Sequence, residues 1–256
     1  MFRVFAAACA ALLVAPAAQA AFFVSLESGV PGAQDTTAGF TAVGVERFDG
    51  RSLGGGQSFV TDFGGSAFIG SYSSVQVIDA DQYGGAGGNG RYAVTFGNPG
   101  YSLDLSTSLP GGVTYFGFWL SALDAGNTVS FFQGGNLLFA FNANDARNFI
   151  NSLPNAASYY CNPTTAFAGQ NCGEPYAFLN FYARASTRFT RVEFNQVTGG
   201  GYESDNHTVG RWNRISGTVI PIAGSSVPEP AAWAMLLAGF GLVGALNRSR
   251  RRQVPA

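Results

Sequence analysis

The chain has one histidine, His207, and it lies close behind Ser204 and Asp205 in the run Tyr202-Glu203-Ser204-Asp205-Asn206-His207. Serine, aspartate and histidine are the residue types of a nucleophile, an orienting acid and a base, and a triad needs the base within hydrogen-bond reach of both partners. One strand does not easily provide this. Side chains alternate along a strand, so Asp205 and His207 are expected on one face and Ser204 on the other. No G-x-S-x-G elbow occurs, and the histidine reads as an edge or surface residue. Carboxylates are the second route to catalysis. Glycoside hydrolysis uses two carboxyl groups about 5–10 Å apart. Glu27, Asp62, Asp79, Asp81, Asp104 and Asp124 are available, but nothing in their spacing pairs them. Asp124, between two strand-like runs, reads as an ordinary turn acid. The expectation is a non-catalytic protein, with a glycan hydrolase as an alternative.

Metal and cofactor chemistry is also thinly represented. Asp79-Ala80-Asp81-Gln82-Tyr83-Gly84 opens like an oxygen-ligand loop, yet Tyr83 stands where a third ligand belongs and Gly90 where an EF-hand has glutamate. Gly85, Gly87 and Gly90 satisfy G-x-G-x-x-G, but the strand-like Arg91-Tyr92-Ala93-Val94-Thr95-Phe96 follows where a phosphate-binding helix would be needed. No cofactor is expected. A structural calcium is the one metal alternative, held by Glu27 and Asp205 if the first and last strands are neighbours, an analogy at the level of jelly-roll carbohydrate-binding modules. In a carbohydrate-binding, lectin-like alternative, Tyr159 and Tyr160 are the aromatic pair expected to be exposed for stacking on sugars, whereas Trp119 reads as core.

The elements that must position these residues are strands. Tyr101–Leu105 alternates, Thr114–Ser121 is aromatic and nearly continuous, and Asn127–Gln133 joins Asn136–Phe141 through Gly134-Gly135, a hairpin signal. Tyr176–Ala183, Thr187–Phe194 and Gly201–Val209 follow at sandwich-like spacing, with a further piece at Ile215–Ile220. Asn144–Ser152 alone suggests a short helix, with Asn144 as its cap. No βαβ alternation appears, so the expected fold is an all-β antiparallel sandwich, with a jelly-roll-like arrangement as one form of it, over residues 21–221. Cys161 and Cys172 bracket a polar loop and are expected to form a disulfide.

Composition narrows the partners. All 14 basic residues are arginine, and 15 residues are acidic. Five arginines lie in the terminal segments, leaving nine against fourteen acids between them, a balance unsuited to nucleic acid. At the start, residues 1–20 combine Arg3, an apolar run and Ala18-Gln19-Ala20, the pattern of a signal peptide cut by signal peptidase before Ala21. At the other end, residues 222–227 read as a linker. Pro228-Glu229-Pro230 precedes Trp233 and a charge-free stretch at about 231–246, roughly 24 Å as a helix. Arg248, Arg250, Arg251 and Arg252 then form a stop-transfer cluster that would stay cytoplasmic. That length is short for a bilayer core of about 30 Å, so the flanks carry the reading as a transmembrane helix.

Pro228-Glu229-Pro230, Trp233-Ala234, the glycine-containing apolar helix and the arginine cluster together resemble the PEP-CTERM sorting signal, in its PEPxxWA form, over residues 228–252. The resemblance implies export across the inner membrane of a Gram-negative bacterium, transient anchoring there, and processing by an exosortase near the PEP step. It also implies association with exopolysaccharide. The runs DQYGGAGGNG, YFGFWLSALDAGNTVSFFQGG and YESDNHTVG are similar to the β-sandwich cores of exosortase-dependent surface proteins, with His207 departing from the aliphatic residue usual after the Asp-Asn pair. The implied role is that of a non-catalytic protein of the cell surface or extracellular matrix.

Overall fold

The computed structural model describes residues 22–29, 35–121, 123–184 and 186–222. The expected signal peptide, most of the linker and the sorting tail with its helix lie outside them. Among the described residues no helix is long and apolar enough to cross a membrane.

The described chain is all-β and antiparallel. Its strands are β1 (Phe22–Ser28), β2 (Gly39–Glu46), β3 (Gly54–Thr61), β4 (Phe68–Asp79), β5 (Arg91–Thr95), β6 (Tyr101–Thr107), β7 (Tyr115–Ser121), β8 (Asn127–Gln133), β9 (Asn136–Asn142), β10 (Ala177–Ala183), β11 (Arg191–Gln196), β12 (Tyr202–Arg214) and β13 (Thr218–Val219). Helix α1 spans Ala143–Ser152. Hydrogen bonding links the strands in the order β13-β1-β10-β7-β12-β5-β4-β6-β11-β8-β9, with β2 added to β12 and β3 to β4. The sheet folds back on itself. Phe131 on β8 meets Phe22 on β1 at 4.9 Å and Phe181 on β10 at 4.9 Å between ring centroids. Phe118 on β7 meets Phe194 on β11 at 5.1 Å. None of these strand pairs is hydrogen-bonded, so the rings bridge two layers of a sandwich.

Alternation decides which residues enter that core. On β1, Phe22, Val24 and Leu26 point inward, and on β10 Ala177, Leu179, Phe181 and Ala183 do. Each fully buried phenylalanine contributes roughly 1.5–3 kcal/mol, so the aromatic inner faces dominate stability. β7 is buried along its whole length, as its continuous aromatic run implies. The β8–β9 hairpin closes between Gln133 and Asn136. Gly134, at φ 58°, takes the left-handed position that such two-residue turns require. Helix α1 packs Ala143, Ala146 and Ile150 inward. Its cap is Asn142, whose Oδ1 accepts from the Asn144 amide at 2.8 Å; the helix therefore starts two residues earlier than a cap at Asn144 would place it. The piece expected at Ile215–Ile220 is the two-residue strand β13 on the free edge of β1.

Two strands carry the chain around the corner. β4 pairs with β6 over Phe68–Ser73 and with β5 over Gln76–Asp79, and Ser74 at φ 63° interrupts it between these halves. β12 pairs with β5 over Tyr202–Ser204 and with β2 from His207 onward. Its register against β7 shifts between Asp205 and Thr208.

Candidate functional site

The shift in β12 is a β-bulge at Asn206, whose φ is 48°, and it overrides the alternation expected from the sequence. Asp205 pairs with Trp119 on the outer face of the layer, whereas Ser204 pairs with Leu120 on the inner one. His207 also turns inward, reversing the expectation that it shares a face with Asp205. It is fully buried, not on an edge. Its ring stacks on Phe194 at 5.1 Å and meets Phe116 edge-on at 5.4 Å and Phe48 at 5.0 Å. Nδ1 is 2.8 Å from the Tyr72 hydroxyl. Burial among these rings pushes His207 down to about 3, so it is neutral at pH 7. Ser204 Oγ lies 2.6 Å from the Tyr101 hydroxyl. Each member of the serine–aspartate–histidine run is thus hydrogen-bonded to a different element.

The outer face of β1-β10-β7-β12 is covered by two loops. Trp119, Phe178, Tyr176 and Ala86 form a second apolar cluster there. The glycine-rich loop after β4 lies over it, pinned by Asp205, whose carboxylate accepts from the Ala86 amide at 2.8 Å and the Asn206 amide at 2.6 Å. Burial raises Asp205 well above the usual carboxylate range, and those two amides pull it back. The second loop runs between Cys161 and Cys172, which are joined by a disulfide. It grips the first loop through Asn162 Nδ2 donating to the Gln82 carbonyl at 2.9 Å. The Tyr176 hydroxyl donates to the same carbonyl at 2.7 Å. A Cβ on Gly88, at φ 72°, would fall 2.7 Å from Thr164 Oγ1, so glycine is required where the two loops touch.

At one side of this cover three acids, two from loops and one from β12, lie within electrostatic reach of one another. Asp124 follows β7, Glu174 follows Cys172, and Glu203 opens β12. Burial, and after it the neighbouring Glu174, pushes Asp124 up to about 6. Asn171 Nδ2 donates to Glu174 Oε2 at 2.6 Å. Glu203 is only 6% exposed. Burial first, then the nearby Asp124, Glu174 and Asp81 charges, push it up to about 8. Its Oε2 has no hydrogen-bond partner, and neither does Ser121 Oγ, although Ser121 is its direct cross-strand neighbour.

The residues singled out from sequence fall differently. Glu27 and Asp205 lie in one row across the layer, Glu27–Phe178–Trp119–Asp205, three strands apart. The last strand, β13, does neighbour β1, but Asp205 belongs to β12, so the two acids do not meet. Glu27 instead accepts from Thr36, Thr37 and Asn180. Tyr159 is 4% exposed and Tyr160 is half-buried, its hydroxyl donating to Asn151 at 2.6 Å, so the pair offers no two-ring platform. Among the described residues no three histidine, cysteine or acidic side chains already stand as a metal-ligating group. Glu174 and Glu203 were not marked by any motif; the signal available was Gly199-Gly200-Gly201 immediately before Glu203, a backbone stripped of side chains beside an acid.

Comparison with known proteins bears on the tail. The PEP-CTERM protein-sorting motif matches residues 226–252, which include Pro228, Glu229, Pro230, Trp233 and the arginine cluster. The chain carries a PEP-CTERM sorting motif. That motif marks an exported surface protein handled by an exosortase, and it covers the tail alone, leaving the sandwich to be read from its own geometry. No curated protein matches the chain. A solved structure, the K2 cleaved adhesin domain of Lys-gingipain, is similar over 65% of this chain and 98% of its own at 12% identity, with a TM-score of 0.36. A likeness that loose carries no argument about this PEP-CTERM protein.

Proposed function

We propose that this is a non-catalytic protein of the cell surface or extracellular matrix, delivered by exosortase processing of its PEP-CTERM tail and working in association with exopolysaccharide. The observation that carries the reading is the sorting motif at residues 226–252. The signal-peptide pattern of residues 1–20, with signal peptidase cleaving before Ala21, supplies the matching export step. In this reading Pro228, Glu229, Pro230 and Trp233 are presented to the exosortase, while the apolar stretch and Arg248, Arg250, Arg251 and Arg252 hold the tail in the inner membrane until it is cut. The sandwich is the cargo. Its serine–aspartate–histidine run is committed to separate structural bonds, which favours a binding or structural role over hydrolysis.

Intact-mass analysis of the protein recovered from its native envelope tests this. The expected species begins at Ala21 and ends near the Pro228–Pro230 step in cells with exosortase. It keeps the tail in cells lacking that enzyme. Mature material that retains Arg252 in exosortase-positive cells would overturn the proposal.

A further inference from the structure

We infer that Arg184, Arg188 and Arg211 form a docking face for anionic lipid headgroups, at the end of the sandwich toward which the chain runs as it leaves the head. The inference rests on the proposed reading of the tail as a membrane anchor. Backbone pairing puts the three arginines together. Phe22 pairs with Ala183. The Ala183 amide donates to the Thr114 carbonyl at 2.8 Å, and the Thr114 amide to the Gly210 carbonyl at 3.1 Å. Arg184 and Arg211 each follow directly on that row. Phe189 bridges to Val113, which brings Arg188 to the turn at Gly111 and Gly112. An ideal Cβ on Gly111 would lie 3.3 Å from Arg211 Nη2 and 3.7 Å from Arg188 Nη2, so two guanidinium groups lie over one bare turn. Like charges so placed repel each other, and phosphate oxygens are a partner that guanidinium forks fit. Arg184 lies over the Phe23 ring, 3.5 Å from its centroid.

Charge and chain direction choose the partner. Residues 108–114 and 184–190, two connections that build this end, hold Arg184 and Arg188 and no acid. The connection from β3 to β4 carries Asp62, whose Oδ1 accepts the Gly64 amide at 3.2 Å. Arg47, Arg51, Arg91 and Arg191 each stand against an acid elsewhere. Acids outnumber arginines between the terminal segments, so a positive end on a negative body orients the head at an anionic surface. β13 runs antiparallel to β1, and the Ile220 amide donates to the Val24 carbonyl at 2.9 Å. The chain is therefore heading toward Phe22 where the described residues reach Ile222. From there to Ala231, where the apolar stretch begins, the chain spans at most about 30 Å. An anchored tail thus holds this end near the bilayer at high effective concentration. The end is also amphipathic, as a headgroup layer favours. Leu137, beside the β8–β9 turn, is 58% exposed, and half-buried Trp212 donates from Nε1 to the Ala183 carbonyl at 3.0 Å. Docking would keep the head against the membrane while the tail anchors it, and loss of the tether on cleavage would let it leave.

The test uses the processed protein, from Ala21 to near Pro228, with its disulfide intact. Its partition onto phosphatidylcholine vesicles, with and without phosphatidylglycerol, is measured by co-sedimentation. Binding should appear with phosphatidylglycerol and fade as salt shortens the screening length from about 10 Å at 0.1 M to about 3 Å at 1 M. Trp212 emission should shift to the blue on those vesicles, a change absent from Trp212→Phe. Arg188→Gln and Arg211→Gln should each lower the partition about fivefold, whereas Arg47→Gln, on an exposed pair with Asp35, should not. If either arginine variant loses its near-ultraviolet circular dichroism, Ser186→Asp adds a negative charge at an exposed position of the same loop and should lower binding likewise. Absence of binding to phosphatidylglycerol vesicles would overturn the inference. So would binding unchanged in the variants of this end, or arginine-dependent binding of an anionic polysaccharide without vesicle binding. The vesicle measurement needs no exosortase, so failure of tail processing and failure of docking are separate results.

Discussion

A neutral histidine inside an aromatic box makes stability depend on pH in a defined direction. His207 is held at about 3, against 6.5 when exposed, so between those values the unfolded chain binds the proton that the folded chain refuses. The His207 contribution to stability therefore rises with pH across that window and levels off above it. Replacement by phenylalanine removes this dependence but strands the buried Tyr72 hydroxyl, at a cost of about 1–3 kcal/mol at neutral pH. We expect His207→Phe to be less stable than wild type at pH 7 and the gap to close as pH falls toward 4, measured by urea unfolding at several pH values. A gap independent of pH would show that His207 does not titrate with folding. The Tyr72→Phe, His207→Phe double variant should recover much of the neutral-pH loss. At this scale the sequence was only partly legible. The histidine's uniqueness was visible, but its direction was not, because a single residue at positive φ, Asn206, turns it from the outer face to the core.

Among the elements, the strands announced themselves through alternation and glycine turns, while the layering did not. Tyr115–Ser121 and the Gly134-Gly135 hairpin lie where periodicity and turn chemistry put them. The corner made by β4, β5 and β12 depends on long-range pairing, which no local pattern encodes. The loop cover is similarly hidden: Gly84–Gly90 looks like a flexible or phosphate-binding stretch, and its glycines in fact permit close packing against Tyr92 and Thr164. The disulfide stiffens this cover. With a sequence separation of 11 between its ends, reduction should cost about 2–3 kcal/mol by the loop-entropy argument. The predicted signature is local before it is global. Reduction, or Cys161→Ser with Cys172→Ser, should raise hydrogen exchange at Gln82–Gly88 and shift Trp119 emission to the red, ahead of any loss of far-ultraviolet signal. Asp205→Ala should loosen the same loop by removing the acceptor of the Ala86 amide, with exchange rising at Ala86 and not at β8 or β9. Uniform loosening of the whole sandwich by either change would refute the idea of a separately pinned cover.

At the scale of the whole molecule, the chain divides its labour between a head that folds on its own core and a tail that is read by membrane machinery. The aromatic core closes within residues 22–222, and the sorting motif occupies 226–252, so folding and delivery should respond to different substitutions. Glu229→Ala with Pro230→Ala removes the processing step while leaving the apolar stretch and arginines; the protein should accumulate in the inner membrane with its tail intact. In the proposed topology, replacing Arg248, Arg250, Arg251 and Arg252 with serine removes the charges that would hold the cytoplasmic side, and each arginine at a span's centre is worth about 2.5 kcal/mol against insertion. A short apolar stretch without that flank should slip through, giving unprocessed protein free in the periplasm. In both cases the head should melt at the wild-type temperature, because neither change touches a residue of its core. Conversely, Asp205→Ala should leave cleavage efficiency unchanged. Membrane fractionation with intact mass, beside thermal melts of the same preparations, reads both halves at once. A tail variant that lowers the melting temperature, or a head variant that blocks cleavage, would show that the exosortase reads the folded sandwich as well as the peptide behind it.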